Sequence, residues 1–116
     1  MNRFLSTLLI ALTLLASTNT SFAADASIEH TFDRNKGAIY ALYSRALREN
    51  PTIKGKIVFN LDIAASGEVT DCRVNYSELD APDLEAQLRA RIKLFRFAPR
   101  SAPITVSKQV DFFPAA

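Results

Sequence analysis

Arg91, Lys93, Arg96 and Arg100 bracket two phenylalanines in the stretch RIKLFRFAPR, and Pro99 stands just before the last arginine. A row of cations is the chemistry of anion binding. Arg89, Lys93 and Arg96 fall at i, i+4 and i+7, which is one face of a helix that runs that far, with Arg100 beyond it. The same placement suits a solvated face near a helix C-terminus, where the dipole favours positive charge. Other candidates for chemistry are few. His30 is the one histidine and Cys72 the one cysteine, so a metal site lacks donors. Cys72 reads as a small half-buried hydrophobe, with an intermolecular disulfide or a redox partner as the alternative. Asp80, Asp83 and Glu85 cluster, but acid/base work needs two carboxyls in opposed environments. Their place at a helix start gives them a structural reason instead. The chain holds three glycines and shows no nucleophile-elbow pattern, Ser-His-Asp constellation or phosphate loop. It reads as non-enzymatic, with no cofactor and no metal.

The elements that must position these residues follow from periodicity. Phe32, Ile39, Leu42, Tyr43, Ala46 and Leu47 recur at helical spacing after a short polar lead at 24–27. Asn50-Pro51 ends that helix, because the residue before proline is pushed out of the helical region. KGKIVFNLDI then alternates, with Ile57, Phe59, Leu61 and Ile63 on one face and Val58, Asn60 and Asp62 on the other. Ala65-Ser66-Gly67-Glu68 makes a turn. A second strand follows, with Cys72, Val74 and Tyr76 on a shared face and Val69 out of phase, which calls for a bulge or an early strand end.

Asp80-Ala81-Pro82-Asp83 opens a second helix with Asp80 as the cap and Pro82 in the first turn. Leu84, Leu88, Ile92 and Phe95 form its apolar stripe. After Pro103, the stretch ITVSKQVDF alternates through Ile104, Val106, Val110 and Phe112. The simplest way to bury these stripes is an α+β domain in the order α-β-β-α-β, with two helices packed on one face of a three-stranded antiparallel sheet.

The beginning of the chain carries an address. Arg3 precedes an apolar run from Phe4 to Leu15, and Ser21-Phe22-Ala23 fits a small-x-small cleavage site. A signal peptide of residues 1–23 is expected, with a single domain over 24–116 in the periplasm; secretion is the alternative. Taking 23 residues from 116 leaves 93, one domain that must stabilise itself through its apolar core. One cysteine allows no intrachain disulfide there. Without Arg3 the 14 basic residues become 13, against 12 acidic ones. That balance argues against a nucleic-acid partner.

In their order and spacing, several of these residues resemble the TonB C-terminal domain superfamily, in the branch known as the AgmX/PglI C-terminal domain. Ile39, Tyr43, Ala46-Leu47 and Pro51 are similar to its first-helix signature. Gly55, Phe59, Ile63, Gly67 and Val69 are similar to its strand–turn–strand pattern, Ser77 and Leu79 to its lead into the second helix, and Phe95-Arg96-Phe97 with Pro99 to its aromatic-x-Phe-Pro ending. Leu42 and Gln87 stand where many relatives carry cysteines. A TonB-type energy transducer also has a membrane anchor and a long periplasmic linker, features not expected in this chain. The resemblance therefore implies the fold and a binding mode, not energy transduction.

Together these readings give a periplasmic binding module of the cell envelope, with a periplasmic or outer-membrane protein segment as partner and the chain itself as monomer or weak homodimer. The resemblance implies that the last strand, Ile104, Thr105, Val106, Ser107, Lys108, Gln109, Val110, Asp111 and Phe112, receives that segment. An ordinary edge strand blunted by Lys108 and Pro114 is the alternative reading of the same residues. The alternative function is an envelope or motility-complex component that binds cell wall or an acidic surface through Arg89, Lys93, Arg96 and Arg100. The export reading is checked by N-terminal sequencing of the protein recovered from cells. A start at Ala24 in the periplasmic fraction is expected, and an intact Met1 in the membrane pellet would overturn it.

Overall fold

The computed structural model describes the backbone over residues 3–114 and side chains over residues 26–114. The chain runs α1 (Arg3–Glu49), β1 (Gly55–Ile63), β2 (Val69–Ser77), α2 (Pro82–Ile92) and β3 (Ile104–Phe112). The side chains of the expected signal segment, 1–23, lie outside the described residues. The lead expected at 24–27 is helical, because no glycine or proline precedes Gly37 to interrupt α1. No helix among the described residues is long and apolar enough to cross a membrane.

The three strands form an antiparallel sheet in the order β2-β1-β3. β1 is the centre, and Ile57, Phe59, Leu61 and Ile63 on its inner face are fully buried. Both helices cover that face. From α1 come Ile28, Phe32, Ile39 and Tyr43, and from α2 come Leu84, Leu88 and Ile92. The Phe32 ring meets Phe95 edge-on at 5.5 Å and Phe97 at 5.8 Å, while Tyr43 lies 4.7 Å from Phe112. The Tyr43 hydroxyl donates to the Ile53 carbonyl at 2.6 Å, so this buried phenol is satisfied. The opposite face carries Lys56, Asn60, Asp62, Arg73, Thr105 and Ser107 and remains open to solvent.

The sheet departs from a simple alternation in β2. Its register against β1 shifts twice, once between Asp62 and Ile63 and once between Val58 and Phe59. The first shift places Val69 opposite Ile63 and buries it, as its phase required. The second makes Asn75 an extra residue, so Tyr76 pairs with Val58 on the outer face. Tyr76 is therefore exposed and does not share the face of Cys72 and Val74, contrary to the alternation of their spacing.

Two further expectations are corrected at α2. Asp80 does not cap the helix: the N-cap is Ala81, which makes no side-chain cap bond, and Pro82 is the first helical residue. Asp80 instead turns the chain at φ +48°, a conformation aspartate tolerates. Beside it, the Ser77 hydroxyl accepts from the Leu79 amide and donates to Glu85. The helix also stops at Ile92, short of Phe95 and Arg96. The amides of Leu94 and Phe95 fold back onto Arg91 and Ile92 in a tightened last turn. Beyond it the Phe97 amide donates to the Gly67 carbonyl at 2.9 Å, which carries the chain off the helix axis.

Gly67 permits that crossing. It sits at φ +93°, and a Cβ there would collide with the Phe97 carbonyl oxygen. Phe95 and Phe97 are both buried while Arg96 between them is exposed. Burial of each ring contributes about 1.5–3 kcal/mol, and truncation adds the cost of a cavity. Phe95→Ala or Phe97→Ala is expected to lower unfolding free energy in a denaturant titration by about 3–5 kcal/mol. Arg96→Ala is expected to change it by no more than about 0.5 kcal/mol. If Arg96→Ala proves the most damaging of the three, the packing account of this motif is wrong.

Candidate functional site at the edge of the sheet

The hydrogen-bond polarity of β3 follows from one residue of β1. The Lys56 amide donates to Glu78 Oε1 at 2.8 Å, and the Lys56 carbonyl accepts from the Glu78 amide at 2.9 Å. Both backbone groups of Lys56 thus point toward the β2 side. Lys56 pairs with Asp111 across β1–β3, so this is a wide pair whose groups turn away from each other. The β1–β3 register runs without a bulge from Gly55–Phe112 to Ile63–Ile104. Alternation then turns Ile104, Val106, Lys108, Val110 and Phe112 toward β1. The amides and carbonyls of Thr105, Ser107, Gln109 and Asp111 face outward.

One of these outward groups is occupied. The Tyr40 hydroxyl, on α1, donates to the Asp111 carbonyl at 3.3 Å. The backbone groups of Thr105, Ser107 and Gln109 have no partner among the described residues. Beside this open edge lies a groove between α1 and β3, with Phe32, Ile39 and Val110 as apolar lining and Lys36 and Tyr40 at its rim. Tyr40 and Lys36 were not singled out from the sequence. The signal for Tyr40 was its place three residues before Tyr43, beside the buried stripe.

Lys108 has an unusual position. Its side chain shares the inner face with Val106 and Val110, yet it carries charge. Glu29 of α1 takes its ammonium at 2.9 Å, and the ammonium also lies 5.3 Å from the Phe32 ring centre. An inward-pointing charge on an edge strand discourages indiscriminate pairing while leaving the backbone groups free. The start of β3 is held by a polar ladder on the outer face. Arg73 of β2 bonds Asp71 and reaches Asp62 of β1 at 2.9 Å, and Asp62 accepts from Thr105 at 2.8 Å. The Arg73 and Thr105 hydrogen bonds hold the Asp62 carboxyl below its ordinary range.

The basic residues do not form one face. Arg89 and Lys93 are exposed at the end of α2. Arg96 lies beyond the helix, bridged to Glu68, whose carboxylate is 4.0 Å away. Arg100 is held through its amide on the Ala65 carbonyl at 2.8 Å. His30 is exposed on α1. Among the described residues no group of histidine, cysteine and carboxylates is arranged to hold a metal. Asp80 and Asp83 are exposed, and Glu85 is engaged by Ser77. The structure does not converge these carboxylates with His30 or Cys72 in a pocket.

Cys72 is buried on the inner face of β2 opposite Leu61. Burial first, then the nearby Asp71 charge, pushes its thiol up to about 11, with Arg89, Arg73 and Lys93 opposing. The thiolate is the reactive form, so folded protein should be inert to alkylation. Iodoacetamide at pH 8 is expected to label Cys72 slowly in the native protein and rapidly in denaturant. Equal rates in both would contradict this packing.

Compared with known proteins, the chain matches no family model, no curated protein and no solved structure.

Proposed function

We propose that the chain is a non-enzymatic binding module of the TonB C-terminal type that works in the periplasm. It docks an extended segment of a periplasmic or outer-membrane protein as a fourth strand beside β3. The observation that carries this reading is the outward row of backbone donors and acceptors at Thr105, Ser107 and Gln109, lying beside the groove against α1. An incoming strand would pair with these groups and send alternate side chains over Ile39 and Val110. Each hydrogen bond adds about 0.5–1.5 kcal/mol net. A handful of them, less the entropy of ordering the segment, gives binding on the order of micromolar, suited to a transient contact.

The alternative, cell-wall or acidic-surface binding through Arg89, Lys93, Arg96 and Arg100, has weaker support because those residues are spread over a helix end and two loop positions. The test is a cross-linking pulldown from periplasmic extract with Ser107→Pro and Gln109→Pro. Both amides face outward, so proline removes a donor from the docking edge without breaking a β1–β3 bond. Loss of the captured partner with an unchanged circular dichroism spectrum is expected, and charge reversal of Arg89 and Lys93 should leave capture intact. A folded proline variant that captures the partner at full affinity would overturn strand addition and favour the basic residues.

A further inference from the structure

We propose that the end of the molecule around Leu94 is a seat for an anionic lipid surface, held by the cations between Arg89 and Arg100 and by Leu94 itself. The seat is a surface distinct from the β3 edge and does not depend on strand addition.

Three elements meet at this end. α2 stops at Ile92, and the tightened turn after it carries Lys93 and Leu94. The chain then runs alongside the β1–β2 turn. The Phe97 amide donates to the Gly67 carbonyl at 2.9 Å, and the Arg100 amide to the Ala65 carbonyl at 2.8 Å. Phe95 and Phe97 take the places in the core, which leaves Leu94 turned out. At 69% exposure it is the most exposed large apolar side chain among the described residues. The backbone of this turn does not require a leucine, since any polar residue would adopt it.

The chain around Leu94 carries charge of one sign. From Ala86 to Ala102 it holds Arg89, Arg91, Lys93, Arg96 and Arg100 and no carboxylate. Among the described residues only Arg96 meets an acid, Glu68 at 4.0 Å, and both of those side chains stay largely in water. The dipole of α2 accounts for cations in its last turn, Arg89 and Arg91. It does not account for Arg96 and Arg100 beyond the helix, or for an apolar side chain among them. A helix end and two loop positions form a poor recognition face for a shaped ligand. They suffice for a membrane, which is extended and carries charge throughout.

Leu94 decides between anionic partners. A hydrated cell-wall polymer or a free phosphate offers it nothing. A bilayer interface removes it from water while the headgroups meet the surrounding cations. Seating this end does not cover the docking edge, because α2 packs against β2 and β3 is the opposite edge of the sheet. Attachment of this kind is peripheral and reversible. Each basic residue near the surface contributes about fivefold in affinity, and burial of Leu94 about tenfold. Half-binding is expected at lipid concentrations on the order of a millimolar.

Flotation of the intact chain with vesicles of phosphatidylglycerol and phosphatidylcholine in equal parts tests the seat. Binding is expected, weakened about tenfold by Leu94→Ser and more than about tenfold by Arg91→Gln combined with Lys93→Gln. The effect of the paired charge variant should vanish at about 1 M salt. All three positions are exposed, so the variants should keep the fold, which circular dichroism checks. The apolar run from Phe4 to Leu15, where retained, is common to every variant and cannot produce these differences. A polarity-sensitive fluorophore reads the place of contact, with buried Cys72 staying unlabelled in the folded protein. Attached at Leu94→Cys, it should shift to the blue with the anionic vesicles and not with phosphatidylcholine alone. Attached at Asp83→Cys, at the other end of α2, it should not shift. Vesicle binding indifferent to Leu94→Ser and to the paired charge variant would overturn the proposal. So would a fluorophore at 94 that stays in water, or capture by purified cell-wall sacculi with none by anionic vesicles. Partner capture at β3 enters none of these readouts, so the lipid seat and the strand-addition reading fail separately.

Discussion

A strand with neighbours on both sides has no backbone group left to offer. β1 is that strand. Its inner side chains form the fully buried centre of the core, and its amides and carbonyls alternate between β2 and β3. This double use fixes everything outward from it. The pairing of Lys56 with Glu78 dictates which side of β3 its own groups face, and hence which of them reach solvent. A sheet of three strands has two such edges. Along the β3 edge α1 leaves a groove, and the one inward charge of that strand is held by the same helix through Glu29.

The helical layer exists to bury what β1 presents. Phe32 touches Phe95 and Phe97, and Tyr43 touches Phe112, so α1 closes both the end of the α2 segment and the end of β3. The aromatic pair flanking Arg96 is a structural device, and the arginines around it are exposed because the rings are not. Much of the charge in that stretch is a consequence of packing and needs no ligand to explain it.

Side-chain period made most of the fold legible in the sequence. The stripe from Ile57 to Ile63 and the alternation from Ile104 to Phe112 each describe one face of a straight strand, and both are found as read. Tyr76 was misread because a bulge at Asn75 adds a residue, and nothing in the local sequence marks that position. Asp80 and the end of α2 were misread for a related reason. Proline at 82 moves the cap to Ala81, and the long-range bond from Phe97 to Gly67 ends the helix before its periodicity does. Of the candidate edge, the strand was legible but its polarity was not. Which amides face outward depends on Lys56 and Glu78, and which carbonyl is already taken depends on Tyr40, residues far from β3 in the chain that only the fold brings to it.

Among the described residues, Thr105, Ser107 and Gln109 present unpaired backbone groups beside neighbours that are paired. Residue-resolved amide hydrogen exchange in dilute protein reads this directly, since exchange reports local opening of each hydrogen bond. The account requires fast exchange at Thr105, Ser107 and Gln109 alternating with slow exchange at Val106, Lys108 and Val110. Protection that is uniform along β3 at every protein concentration, or alternates in the opposite phase, would contradict it.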